Sequence, residues 1–136
     1  MVGLATSCRL WCFQAMTQPV PPNALGHLRI VLSEKAYIGP GRADLLEGIA
    51  VTGSISAAGK AMGMSYKRAW GLVQALNDGF GAALVLSSRG GAGQGGAVLT
   101  PLGQQVLSHY RAMQQKTESV IAEDVAALRA LISDIS

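Results

Sequence analysis

The residues best placed to do chemistry are two cations, Lys67 and Arg68, directly after Ser65-Tyr66 and ahead of an apolar run. If Ser65 caps a helix, both cations lie in its first turn. A helix N-terminus carries partial positive charge and favours acids there, so each exposed cation is locally unfavourable by roughly 0.3–1 kcal/mol. A polyanion lying across the helix start would reverse that sign. The chemistry implied is ion pairing and hydrogen bonding to a phosphate backbone and to base edges, not bond making. Ser65, Lys67, Arg68 and Gln74 are candidates for base edges; Lys67, Arg68, Arg42 and Arg89 are candidates for phosphates. Tyr66 flanks this set. The bland alternative is a solvated basic turn.

A catalytic site finds no support. His27 and His109 are far apart, and no acidic pair or nucleophile–base spacing occurs. Cys8 and Cys12 form a lone C-x3-C, too little with distant His27 to hold a metal. No catalytic residue, cofactor or metal is expected.

The elements that must position the cations follow from the stretch SISAAGKAMGMSYKRAWGLVQALNDGF, residues 54–80. It reads as two helices, Ser56 to Met62 and Ser65 to about Asp78, around a Gly63-Met64 turn. Ser56 and Ser65 are the expected caps, and Gly63 suits a left-handed backbone. Ala57, Ala58, Gly59 and Ala61 are small enough for a steep, close crossing, as a helix-turn-helix requires. On the second helix Ala69, Leu72, Val73, Leu76 and Phe80 form one apolar stripe. Lys67, Gly71, Gln74 and Asp78 face the other way.

At 136 residues the chain suits one domain with appendages. The formal charge is only +3, but its distribution is informative. Residues 42–111 hold six bases and three acids, whereas residues 112–136 hold two bases and four acids. The basic middle fits a polyanion partner. The uncharged run from Leu10 to Leu28 is broken by Pro19, Pro21 and Pro22, so no membrane span is expected; Arg9 interrupts the apolar N-terminus, so no secretory signal is expected, and the expected location is cytoplasmic.

In chain order, residues 1–24 read as a disordered tail, and Met16 is a possible true start. Leu28 to Leu32 has the content of a short edge strand. Gly39-Pro40-Gly41 breaks the chain, and Arg42 to Thr52 is helical, ended by Gly53. The two-helix unit follows. Then Leu84-Val85-Leu86 and Ala97-Val98-Leu99 form a hairpin around SSRGGAGQGG. That loop lacks the Gly-Lys-Ser/Thr ending of a nucleotide site and runs into a strand, so it reads as a wing. Thr100-Pro101 starts a helix that runs to about Ile132. Its stripe of Val106, Tyr110, Met113, Thr117, Ile121, Val125, Leu128, Ile132 and Ile135 outruns the domain. An apolar stripe with no internal partner implies a second subunit. The expected architecture is mainly α with a small β wing. Residues 25–104 form a winged helix-turn-helix, and residues 105–136 a long dimerisation helix.

Across about Arg42 to Tyr110 the sequence resembles the N-terminal DNA-binding domain of the ModE-like molybdate-responsive transcriptional regulators, related to the LysR-type winged helices. Thr52-Gly53-Ser54-Ile55-Ser56, Ser65 to Trp70, the stretch from Gly90 through Gly96 to Thr100, and Gly103-Gln104 carry the resemblance. It implies a homodimer binding operator DNA, with Ser65, Lys67 and Arg68 facing the duplex and Tyr66 and Trp70 supporting the helix or touching backbone. The family's wing carries an arginine after its first strand and a lysine among the glycines. Those positions are Ser87 and Ala92 here, with Arg89 the nearby base. Full-length members continue into oxyanion-binding domains. No molybdate-binding domain is expected within this chain, and regulation of molybdenum-related genes follows only by association. Two other readings stand beside this one: a module docking on a partner regulator, and a small oxyanion sensor working near Arg42 or Arg111.

Overall fold

The computed structural model describes residues 25–88 and 96–135, with no side chains described beyond Ile132. Among the described residues eight elements follow one another. They are β1 (Ile30–Val31), β2 (Tyr37–Ile38), α1 (Pro40–Thr52), α2 (Ile55–Ala61), α3 (Tyr66–Phe80), β3 (Val85–Ser88), β4 (Gly96–Leu99) and α4 (Pro101–Ile135). The fold is a winged helix-turn-helix followed by a long helix, as expected. The tail call on residues 1–24, with Cys8 and Cys12, and the wing-tip residue Arg89 lie outside the described residues.

The helix boundaries have local causes. α1 begins at Pro40, not at Arg42. Gly39-Pro40-Gly41 is therefore a helix start rather than a break, because a first-turn proline loses no helical hydrogen bond and has its φ already set. Gly53 ends α1 in the left-handed conformation at φ 71°. The cap of α2 is Ser54, whose hydroxyl accepts from Ala57 N at 3.0 Å, and not Ser56. Ile55 has to be helical to reach the core, where it is 5 % exposed, and that draws the start back by two residues. Ser65 caps α3 as expected, accepting from Arg68 N at 3.1 Å. Thr100 caps α4, accepting from Gly103 N at 3.0 Å, with Pro101 in the first position.

Two small antiparallel sheets complete the fold. β3 pairs with β4 through Val85↔Leu99 and Ser88↔Gly96, which makes the wing. Leu84 is not in the strand as expected. Its amide is held by Asn77 and its carbonyl receives Thr100 N. β1 pairs with β2, Ile30 opposite Ile38. β2 has no two-residue alternation long enough to show in the sequence.

The core lies where α1, α2, α3, the wing strands and the start of α4 meet. Leu45, Leu46, Ile49, Ala58, Ala69, Val73, Leu76, Leu84 and Tyr110 are fully or almost fully buried. None of the buried core positions described is polar apart from the Tyr110 hydroxyl, which donates to Leu28 O at 2.6 Å and so is satisfied.

Candidate nucleic-acid interface

The first turn of α3 is the site. Its position is set by the α2–α3 crossing, and the crossing by small residues. A Cβ placed on Gly59 would stand 2.8 Å from the Ala69 Cβ, so only glycine permits this approach. Gly63, at φ 73°, makes the turn between the helices. Buried Ala69, Val73 and Leu76 hold one side of α3 in the core, with Leu72 and Phe80 packed on its margin. The opposite side is therefore delivered to solvent. Ser65, Tyr66, Lys67, Arg68, Gly71, Gln74 and Asp78 are all exposed.

Lys67 and Arg68 have no ion pair among the described residues. Two uncompensated cations thus stand at the positive end of a helix, the arrangement that an external anion would stabilise. Tyr66 and Trp70 stack beside them, with ring centroids 6.4 Å apart and planes at 20°. Trp70 also packs on the core, so the stack fixes Tyr66, 56 % exposed, on the flank of the basic turn.

The wing is locked to the same frame. The Asn77 side-chain carbonyl accepts from Leu84 N at 2.8 Å and Val85 N at 3.3 Å, and its amide donates to Val85 O at 3.4 Å. Ala97 N donates to Gly53 O at 2.8 Å, joining β4 to the end of α1. Asn77 went unnoticed in the sequence. The only signal it left there is an amide side chain just before the Gly79–Gly81 helix end, facing a strand not yet placed.

Arg42 is not with these residues. Its guanidinium carbon lies 3.7 Å from the Tyr37 ring centroid, and Nη1 donates to Tyr37 O at 3.3 Å. The β1–β2 hairpin that carries Tyr37 packs on the other end of α3. There the Gly79 backbone comes so close to Lys35 and Ala36 that a Cβ would stand 2.5 Å from Lys35 O. Twelve residues of helix separate Gly79 from Lys67, about 18 Å along the axis.

Arg111 is engaged too. It reaches both Asp44 and Glu47 at 2.9 Å and donates to Gln114 Oε1, joining α4 to α1. Burial raises the Asp44 carboxyl pKa more than Arg111 lowers it, with neighbouring Glu47 adding to the rise. Among the described residues no group of three or more histidines, cysteines or acids is placed to hold a metal ion, and no helix is long and apolar enough to cross a membrane.

A helix-turn-helix with an exposed basic first turn, braced by a wing, is the architecture of a DNA-binding regulator. Residues 42–104 match the model of the bacterial regulatory helix-turn-helix proteins of the lysR family, and this stretch is a domain of that kind. More particularly, the domain is ModE-like. The chain is 40% identical over 113 residues to the DNA-binding transcriptional dual regulator ModE of Escherichia coli (strain K12), covering 80% of this chain and 43% of that protein. It is 47% identical over 79 residues to the molybdenum-pterin-binding protein MopB of Rhodobacter capsulatus, covering 58% of this chain and 29% of that one. A molybdenum transport protein ModE of Azotobacter vinelandii is 36% identical over 80 residues, covering 59% of this chain and 30% of that protein. The chain thus spans less than half the length of these relatives.

Proposed function

We propose that this chain is a transcriptional regulator that grips operator DNA as a homodimer and acts on molybdenum-related genes. The single observation that carries the DNA reading is the exposed first turn of α3, with two cations that have no ion pair among the described residues beside a serine cap, inside a regulatory helix-turn-helix domain. In this reading α3 enters the major groove N-terminus first. Ser65, Lys67, Arg68 and Gln74 face base edges, Lys67 and Arg68 also neutralise phosphate, and Tyr66 rests against sugar-phosphate. The wing follows the adjacent backbone, with Arg89 as its base. Arg42, on the Tyr37 ring, serves the fold rather than the duplex. The molybdenum association rests on the relatives' names alone.

The dimer assignment rests on α4. Val120, Leu128 and Ile132 are 80 %, 61 % and 65 % exposed on a helix that carries four carboxylates against two bases beyond residue 112. Apolar side chains so exposed in a regular stripe suit a second copy of the same helix.

The test is selection of random DNA by the purified protein at near-physiological salt, followed by sequencing. An enriched palindrome, with affinity falling steeply as salt rises, is the expected result. A folded protein that enriches nothing and shows no salt dependence would overturn the reading and favour docking on a protein partner.

A further inference from the structure

Beyond Met113, α4 carries a seam whose pattern depends on the direction of whatever covers it. Written as a heptad abcdefg, Ile121 and Leu128 take d positions and Val125 and Ile132 take a positions. Their spacings of four, three and four put them on one face of the helix. Leu128 and Ile132 are 61 % and 65 % exposed, and Ile121 and Val125 are only half-buried. The two flanks of this seam carry opposite charges. Asp124 is the g residue ahead of Val125, Arg129 is the e residue after Leu128, and both are exposed.

A second copy of the helix would meet these charges in one of two ways. In a parallel, in-register pair, a g side chain faces the e side chain of the partner's next heptad. Asp124 and Arg129 stand at that offset, five residues apart, so two opposite-charge pairs form, one on each side. In an antiparallel pair g faces g and e faces e. Carboxylate then meets carboxylate and guanidinium meets guanidinium, and like charges repel. Exposed pairs of this kind add little affinity, but they choose between directions that bury the same apolar area. The layers agree with the charges. Val125 and Ile132 at a, with Leu128 at d, is the combination that favours two parallel strands.

The seam also has a defined start. Glu118 holds the a position before Ile121, where a parallel partner would bring like charge against like. Gln114, at the d position before that, accepts from Arg111 Nη1 at 2.9 Å and so belongs to the clamp on α1. The two helices therefore diverge ahead of Ile121, towards their winged helix-turn-helix domains.

We propose that residues 121–132 of α4 clasp a second copy of this chain in parallel and in register, with Asp124 of each copy paired to Arg129 of the partner subunit. This rests on the homodimer reading and gives that dimer its direction. A parallel clasp brings both domains to the same end of the paired helices, where two copies of α3 can address one duplex. An antiparallel clasp centred on the same seam would hold the two Met113 positions about 40 Å apart along the helices.

The test is disulfide capture in the intact chain with Cys8 and Cys12 changed to serine. I121C should give a linked dimer on mild oxidation, because the two d residues share a layer. An equal mixture of I121C and I132C should give no mixed disulfide, because those positions lie about 16 Å apart along a parallel pair. Charge reversal provides a second measurement that leaves the seam itself intact. D124R and R129D should each weaken dimerisation by about tenfold in sedimentation over a range of concentrations. An equal mixture of the two, or the double variant D124R/R129D, should recover it. Mixed disulfides between I121C and I132C, or single reversals that dimerise as well as the wild type, would overturn the parallel clasp and leave the homodimer standing. A wild-type chain that stays monomeric at every concentration would overturn the homodimer reading, and the clasp with it.

Discussion

Lys67 and Arg68 contribute nothing visible to the fold: both are exposed, and neither is ion-paired within the described residues. Their removal should therefore separate binding from stability. Lys67→Ala and Arg68→Ala should each weaken operator binding by about 1–3 kcal/mol if the contact is to a base edge. The Tm should stay where it was. A titration by fluorescence anisotropy beside a thermal melt checks both, and unchanged affinity in the folded double variant would remove α3 from the interface. Tyr110 is the opposite case, a residue whose work is internal. Its ring is fully buried, its hydroxyl donates to Leu28 O, and burial pushes its pKa from 10.0 up to about 12. A folded-state pKa raised above the unfolded value means that the unfolded chain loses its proton first. Stability from this group is thus intact below pH 10 and should fall as pH rises from 10 towards 12. Denaturant titrations at pH 9 and 11 test this. In Tyr110→Phe that alkaline loss should shrink, and the lost hydrogen bond should cost about 1 kcal/mol at neutral pH.

At the scale of elements, the helix-turn-helix is a matter of two caps and one close crossing. Ser54 and Ser56 look alike in the sequence, two serines on either side of Ile55 ahead of a run of small residues. Only Ser54 satisfies an orphan amide at a helix start. Ser54→Ala should cost about 1 kcal/mol of stability, while Ser56→Ala, at an exposed position inside α2, should be close to neutral. Chemical denaturation of the two variants in parallel would reveal the assignment, and a larger loss from Ser56→Ala would contradict the cap. The wing depends on an equally local device. Asn77 substitutes for strand partners at Leu84 and Val85, so the hairpin leaves α3 in a fixed direction. Short strands with their own residues paired only to each other need such an anchor, because an isolated hairpin is marginal in water.

For the molecule as a whole, α4 is the element the domain does not use up. Its first turns bury Tyr110 and carry Arg111 to Asp44 and Glu47, fixing the helix to α1. Beyond Met113 it continues for more than twenty residues, roughly 30 Å, with its apolar stripe open. Truncation after Met113 should leave the winged helix-turn-helix folded and monomeric. Sedimentation checks this, and a dimer surviving the truncation would place the interface elsewhere. If α4 pairs two domains about a two-fold axis, the two copies of α3 should meet half-sites about 34–36 Å apart, or a multiple of that.

The sequence by itself determined the helices, the turn at Gly63, the caps at Ser65 and Thr100, and which side of α3 faces out. These are local matters of periodicity, side-chain oxygens and positive φ, and neighbouring residues suffice to express them. Tertiary structure alone decided three others. Ser54 rather than Ser56 caps α2, because Ile55 is pulled into the core. Tyr37 and Ile38 form a strand, because Ile30 and Val31 are there to pair with them. Arg42 lies on the Tyr37 ring at the far end of α3, whereas Lys67 and Arg68 stay exposed at the near end. In the sequence all three cations read as equivalent charges. Their separation depends on how the hairpin and α1 pack on α3, a contact between residues more than forty positions apart that no local pattern encodes.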